Sequence, residues 1–230
     1  MASNDIPFTK QMRKATQEIH SISDALVNAK LAFALSDNTV WAEGLIVFYE
    51  IFRFLEEAMV RLKDTSIGDY NRIDGLKRTE SFQQDLEFFL GPKWTDSYIP
   101  RESVTKYLLH LINLEKENPI LLIAYIYHLY MGLLSGGQIL SKKRALIKKM
   151  SLNSSIKEGE AVTTFNDRSI ASIKKDIVNI TNKIAESLDN NTKQLILKES
   201  KMVFILNNTI ISTVEGASKV LAKKVFVLIV

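Results

Sequence analysis

The chain has 230 residues, enough for one sizeable domain, and its 46% hydrophobic and 24% charged residues are those of an ordinary soluble globular protein. It has no cysteine, which excludes disulfides, thiolate nucleophiles and a thiolate ligand for iron. The net charge of +4 is spread along the chain without interleaved aromatic residues, so no nucleic-acid platform is expected.

Few glycines and prolines punctuate the sequence, and the long uninterrupted stretches favour helices. Phe8, Met12, Ala15, Ile19, Ile22 and Leu26 recur at spacings of four and three, which predicts an amphipathic first helix. The run Ser36 to Thr39 carries start signals for a second helix, with Leu45, Phe48, Tyr49, Phe52, Leu55 and Met59 on it. Residues 64–79 read as a polar loop, and a short helix then stops at Gly91–Pro92, because proline disfavours helix in the residue before it. A helix from Val104 to Glu115 is followed by Asn118–Pro119 and a long helix from Ile120 to about Met150. Residues 152–167 read as a loop. Two last helices cover about Ser169 to Leu188 and Thr192 to Lys224. No strand alternation and no repeat appears, so the expectation is a single all-α domain over residues 1–230, with its core at about 8–215.

The basic residues Lys142, Lys143, Arg144, Lys148 and Lys149 read as a solvated helix face. The N-terminus has no basic-then-apolar signal pattern, so a cytoplasmic location is expected. The last residues, 216–230, end in six apolar side chains after two lysines and read as a helix end or as the start of a membrane anchor.

His110 sits between leucines and reads as an ordinary core or surface residue, and His128, among apolar and tyrosyl neighbours, as a satisfied core histidine. His20 shares one helical face with Thr16 and Asp24, each four residues away, and Arg13 lies a turn further back. A carboxylate one turn from a histidine is either a surface pair or a partner for the second ring nitrogen of a metal-bound imidazole. The segment "YMGLLSGGQIL" (Tyr130 to Leu140) places three of the nine glycines in the most apolar helix, where each costs about 1 kcal/mol relative to alanine. Gly132 and Gly136 have the G-x-x-x-G spacing of membrane helix dimers, but no other segment resembles a span. The other reading is close approach: without Cβ atoms at Gly132, Gly136 and Gly137, backbone can lie against another helix or a flat ligand, at a helix kink.

Four stretches together resemble the haem oxygenase family. "RKATQEIH" (Arg13 to His20) is similar to the family's haem-ligand helix, and "QQDLEFFLGPKW" (Gln83 to Trp94) to its Q-D-L-x-F-x-x-G-P-x-W stretch. "LLIAYIYHLYMGLLSGGQIL" resembles its distal helix, and "FILN" (Phe204 to Asn207) a motif of its last core helix. The resemblance implies an all-helical fold with haem held between the first helix and a kinked distal helix. Haem would be both cofactor and substrate, cleaved with O2 to biliverdin, carbon monoxide and ferrous iron. Electrons would come from NADPH through a flavin reductase, the protein acting as a monomer.

On this resemblance His20 is the iron ligand, and Asp24 the acid that holds its imidazole. Arg13, Thr16, Tyr127, Phe204 and Asn207 line the haem, with Arg13 and Tyr127 near its propionates. Lys175 (with Lys174 and Lys183 as rivals) is the candidate for a further propionate contact. Gly132, Gly136 and Gly137 bring backbone onto the haem, and Gly132, Leu133 and Gly136 form the distal, catalytic side. Leu133 stands where the family has an aspartate that orders distal water and relays protons. A leucine neither accepts nor donates a hydrogen bond. The expectations are therefore a haem oxygenase of altered efficiency or regiochemistry, or a haem-binding or haem-sensing protein that does not degrade its ligand. A continuation into a membrane anchor would put it on the cytosolic face of the endoplasmic reticulum.

Overall fold

The computed structural model describes residues 6–34, 37–150 and 159–214. Among these it is all helical. Nine α-helices follow in chain order: α1 (Phe8–Ala15), α2 (Gln17–Ala34), α3 (Asn38–Arg61), α4 (Thr79–Leu90), α5 (Glu102–Glu117), α6 (Leu122–Gly132), α7 (Gln138–Met150), α8 (Ile170–Glu186) and α9 (Asn190–Ser212). The C-terminal segment 215–230, expected as a helix end or an anchor, lies outside the described residues.

Local chemistry sets most of these boundaries. The Asp37 carboxylate accepts from the backbone N–H groups of Thr39 (2.8 Å) and Val40 (3.3 Å) and so starts α3. Ser169 and Asp189 cap α8 and α9 in the same way. Helix α4 ends at Gly91, whose φ of 91° is left-handed, and Pro92 follows. The expected first helix is two: Thr16 donates its hydroxyl to the carbonyls of Met12 and Arg13 at the turn where α1 gives way to α2. Residues 64–79 are more ordered than their polarity suggests. A 3₁₀ segment, Ser66–Arg72, buries Ile67 and Tyr70, and the Tyr70 hydroxyl lies 2.7 Å from that of Thr181 in α8.

Helix α6 is the centre of the molecule. Every residue from Leu122 to Tyr130 except His128 is buried, and the helix packs against α3, α5, α8 and α9. Pro119–Ile147 has the length and composition of a membrane span, but 56% of its most apolar window is buried in the core, as the central helix of a globular domain requires. Between α6 and α7 the chain opens into a π-helical turn, Leu133–Gly137. Such wide turns interrupt a helix without ending it, and they gather at functional sites.

Arg144 departs from its expected solvated face. Its side chain is 1% exposed, because α7 turns it inward over the Trp41 ring, whereas Lys142 and Lys143 are exposed as expected.

Candidate functional site

A cavity of about 810 Å³ lies between α2, α3, the α6–π–α7 segment and α9, within the range of small-molecule sites. Its walls are mostly apolar, with Trp41, Phe48, Phe52, Phe82, Leu129 and Leu133 among them.

His20 lines one side. Its Nδ1 faces Oδ2 of Asp24 at 3.1 Å, so the proton on Nδ1 is held and the lone pair of Nε2 is the one left for a ligand. The ring also meets Phe204 edge-on, with centroids 5.3 Å apart. Among the described residues no three His, Cys, Asp or Glu side chains converge on a metal site. His20 can therefore hold an iron ion only where a ligand such as a porphyrin supplies the other donors.

Gly132 and Gly136 line the cavity too. A Cβ built on either meets nothing within 4 Å, so each glycine opens a cradle that any other residue would fill. Gly137 is different: its Cβ would come 3.0 Å from Cδ1 of Leu133 and 3.7 Å from Cγ2 of Thr163. It serves the packing of the π turn as well as the cavity. Leu133, half-buried at the start of that turn, puts alkyl surface into the space.

Arg13, Thr16 and Tyr127 also line the cavity. The Tyr127 hydroxyl is buried, and burial raises its pKa while the nearby Arg13 charge and then the Thr9 side chain oppose the rise. Its proton is thus available to an acceptor entering the cavity. The Thr16 hydroxyl is already committed to the turn between α1 and α2. Phe204 and Asn207 line the wall from α9, and the Asn207 side chain accepts from Tyr107 at 3.1 Å. Lys175 is exposed on α8 and is not part of the lining; neither are Lys174 and Lys183.

His128 and Thr163 are among the lining residues that the sequence does not mark. His128, expected to be a satisfied core histidine, is half-buried, with its Nε2 atom buried and unpartnered, and its ring is 5.2 Å from Phe204. Burial first, and then the neighbouring His20, lower its pKa to about 3, so it is neutral at any ordinary pH. Thr163 reaches the cavity from a loop without periodicity. Its segment is pinned by Asp85, which accepts from the N–H groups of Ala161 (2.8 Å) and Val162 (2.9 Å), and by Gln138, which donates to the Thr163 carbonyl (2.6 Å). His110, by contrast, is tied down away from the cavity, its Nε2 2.7 Å from the Tyr125 hydroxyl and 2.9 Å from Glu199.

One histidine with an oriented imidazole, facing a glycine-lined backbone across a deep apolar slot, fits a planar metal macrocycle. The sequence profile described as haem oxygenase matches residues 6–213. The chain belongs to the haem oxygenase family. The haem oxygenase of Rhodella violacea is 30% identical over 164 residues, which is 71% of this chain and 68% of that protein. Haem oxygenase 1 of Bos taurus is 28% identical, over 91% of this chain and 72% of its own length. The solved haem oxygenase 2 of Chlamydomonas reinhardtii, without haem, has a TM-score of 0.83 at 26% identity, covering 93% of this chain and all (100%) of that one. Haem oxygenase-2 of Synechocystis, solved with haem and NO, has a TM-score of 0.80 at 25% identity over 91% of this chain and 86% of its own. The fold of a single all-helical haem oxygenase is thus the fold of this chain. Within that frame its cavity has alkyl and aromatic side chains at Phe52, Leu129 and Leu133.

Proposed function

We propose that this haem oxygenase binds haem between α2 and the glycine-bearing π turn and cleaves it to biliverdin, carbon monoxide and ferrous iron. O2 is the oxidant, and the electrons come from NADPH through a flavin reductase. The observation that carries the reading is the His20–Asp24 pair lining the same cavity as the open backbone of Gly132 and Gly136. Bound haem supplies both the iron at which O2 is reduced and the porphyrin edge that is oxidised.

The chain's own groups do the rest. His20 offers Nε2 to the iron, and Asp24 fixes the tautomer and the ring plane by accepting the Nδ1 proton. Gly132 and Gly136 let backbone approach the haem face more closely than any side chain would. Arg13 and Tyr127 offer a cation and a phenol proton to the propionates, with Lys175 a further contact only if its side chain swings from its exposed position. The apolar wall, with Phe52, Phe82, Leu129 and Leu133, keeps bulk water out. With Leu133 it offers no carboxylate on the distal side, so turnover would be slower and the meso edge less tightly chosen. The reading goes with a cytoplasmic monomer.

Reconstitution with haem, followed by ascorbate or by reductase with NADPH, tests it. Loss of the Soret band with a biliverdin spectrum and released carbon monoxide is the expected outcome. A stable ferrous or oxygenated spectrum would instead support a protein that binds or senses haem without degrading it, which Leu133 favours as the second reading.

A further inference from the structure

Arg144 is one of the largest fully buried side chains of the molecule. Its guanidinium lies 4.7 Å from the centroid of the Trp41 ring and 5.4 Å from that of Phe89. Nη2 donates to the side-chain oxygen of Asn38, in the first turn of α3, whereas Nε and Nη1 have no hydrogen-bond partner. The indole Nε1 of Trp41 is likewise buried and unpartnered. Burying a cation with so little hydrogen bonding is costly, and a methionine or leucine would fill the same space at lower cost. Two ring faces offset part of that cost, since a desolvated cation–π contact is among the stronger ones, and the carboxylates of Glu160, Asp37 and Asp85 favour the charge as well.

The arrangement joins two walls of the cavity. Trp41 lines it from the first turns of α3, together with Val40 and Leu45. Arg144 comes from α7, just beyond the π turn, where Ile139 and Leu140 line the same space. One planar cation behind the indole therefore ties the start of α3 to the distal helix and fixes the ring that forms the wall.

We propose that Arg144 is a positioning residue that acts through Trp41 to set how a planar macrocycle sits in the cavity, and so which of its edges faces the π turn. The inference rests on the haem reading given above. A rigid indole selects between the two in-plane orientations of an asymmetric macrocycle, which differ only in where methyl and vinyl groups meet the wall. A mobile indole does not. The guanidinium touches no reacting atom, so its effect is on orientation and on product isomers rather than on iron ligation.

The test compares wild type with Arg144→Met, Trp41→Leu and the double variant, each reconstituted with haem. Proton NMR of the cyanide-bound ferric protein gives the ratio of the two haem orientations, and chromatography of the product gives the biliverdin isomers. Arg144→Met is expected to change the orientation ratio by about threefold or more while the Soret position, which reports His20 ligation, stays put. Trp41→Leu should do the same, and the double variant should match Trp41→Leu alone, because both changes act through one side chain. Unchanged orientation in Trp41→Leu overturns the proposal, including in the case where Arg144→Met does not fold. Additive effects in the double variant overturn the link between the two residues. A wild type that gives no Soret band would remove the haem reading and this inference together, whereas a normal Soret band with unchanged ratios defeats this inference alone.

Discussion

Nδ1 of His20 and Oδ2 of Asp24 stand 3.1 Å apart, one turn of α2 from each other, and both side chains are more than half exposed (54% and 63%). An exposed pair at this spacing adds a few tenths of a kcal/mol to a helix at most. Its use is orientation. Asp24→Ala should leave the unfolding free energy of the haem-free protein within about 0.5 kcal/mol of wild type, yet weaken haem binding by about 10- to 100-fold. His20→Ala should lose the protein's bond to the iron, with a displaced Soret band. Titration of apoprotein with haem, beside urea unfolding, reads both. Equal haem affinity in wild type and Asp24→Ala would show that the carboxylate holds nothing that matters to the ligand.

Gly132 and Gly136 predict opposite signs for stability and for binding. Both are helical, with φ of −62° at Gly132, and a Cβ at either meets nothing in the structure. Alanine at either position should therefore stabilise the haem-free protein by about 0.5–1 kcal/mol, through the lost backbone freedom of the unfolded chain. The same methyl stands in the cradle where the ligand lies, and valine or leucine would fill more of it. Haem affinity should fall in the order Gly, Ala, Val. A glycine variant that binds haem as tightly as wild type would mean that the ligand does not lie against this backbone.

Leu133→Asp puts a carboxylate on the distal wall. The new side chain lies at a half-buried position of the π turn, so some stability should be lost, about 1–2 kcal/mol, from desolvating the acid and removing alkyl packing. The rate of haem loss under single-turnover conditions should rise, with fewer minor biliverdin isomers. A slower variant that still binds haem would argue that the apolar wall has its own route for protons.

Much of this was legible in the sequence. Asp37, Gly91–Pro92 and Pro119 mark helix ends by their own chemistry, and Gly136–Gly137 mark the break between α6 and α7. Other features depend on partners distant in the chain. The charge of Arg144 says "surface", and only the fold brings Trp41 and Phe89 around it. Phe48 and Phe52 are marked in the sequence only as apolar positions of α3, and the fold turns them toward a cavity rather than into packed neighbours alone. Thr163 has no pattern around it at all; it reaches the cavity because Asp85 and Gln138 hold its backbone. The break at Thr16 was hidden because apolar residues continue on both sides of it.

Asp85 gives the next prediction. It is 1% exposed and accepts two backbone N–H groups from the segment that carries Val162 and Thr163 to the cavity. Asp85→Ala leaves both donors without their acceptor and should cost about 3 kcal/mol, since hydrogen bonds to a charged group are worth more than neutral ones. Hydrogen exchange at Ala161 and Val162 should speed up more than exchange in α6. Uniform loss of protection throughout the protein would mean that Asp85 supports the whole fold rather than this wall.

His128 makes the haem-free protein acid-sensitive in a particular window. Burial, with a smaller contribution from His20, lowers its pKa from 6.5 to about 3 in the folded state. Between those two values the unfolded chain binds the proton and the folded chain does not. Stability therefore rises with pH across that window, and acidification below pH 6.5 progressively favours unfolding. The contribution to the slope approaches about 1.4 kcal/mol per pH unit. His128→Leu removes the titrating group and suits its apolar surroundings, so the variant should lose less stability than wild type between pH 6.5 and pH 4.5. Urea unfolding at a series of pH values measures the difference directly. Parallel curves for the two proteins would show that His128 takes up its proton in the folded state as readily as in the unfolded one, and that the cavity around it is wetter than its burial implies.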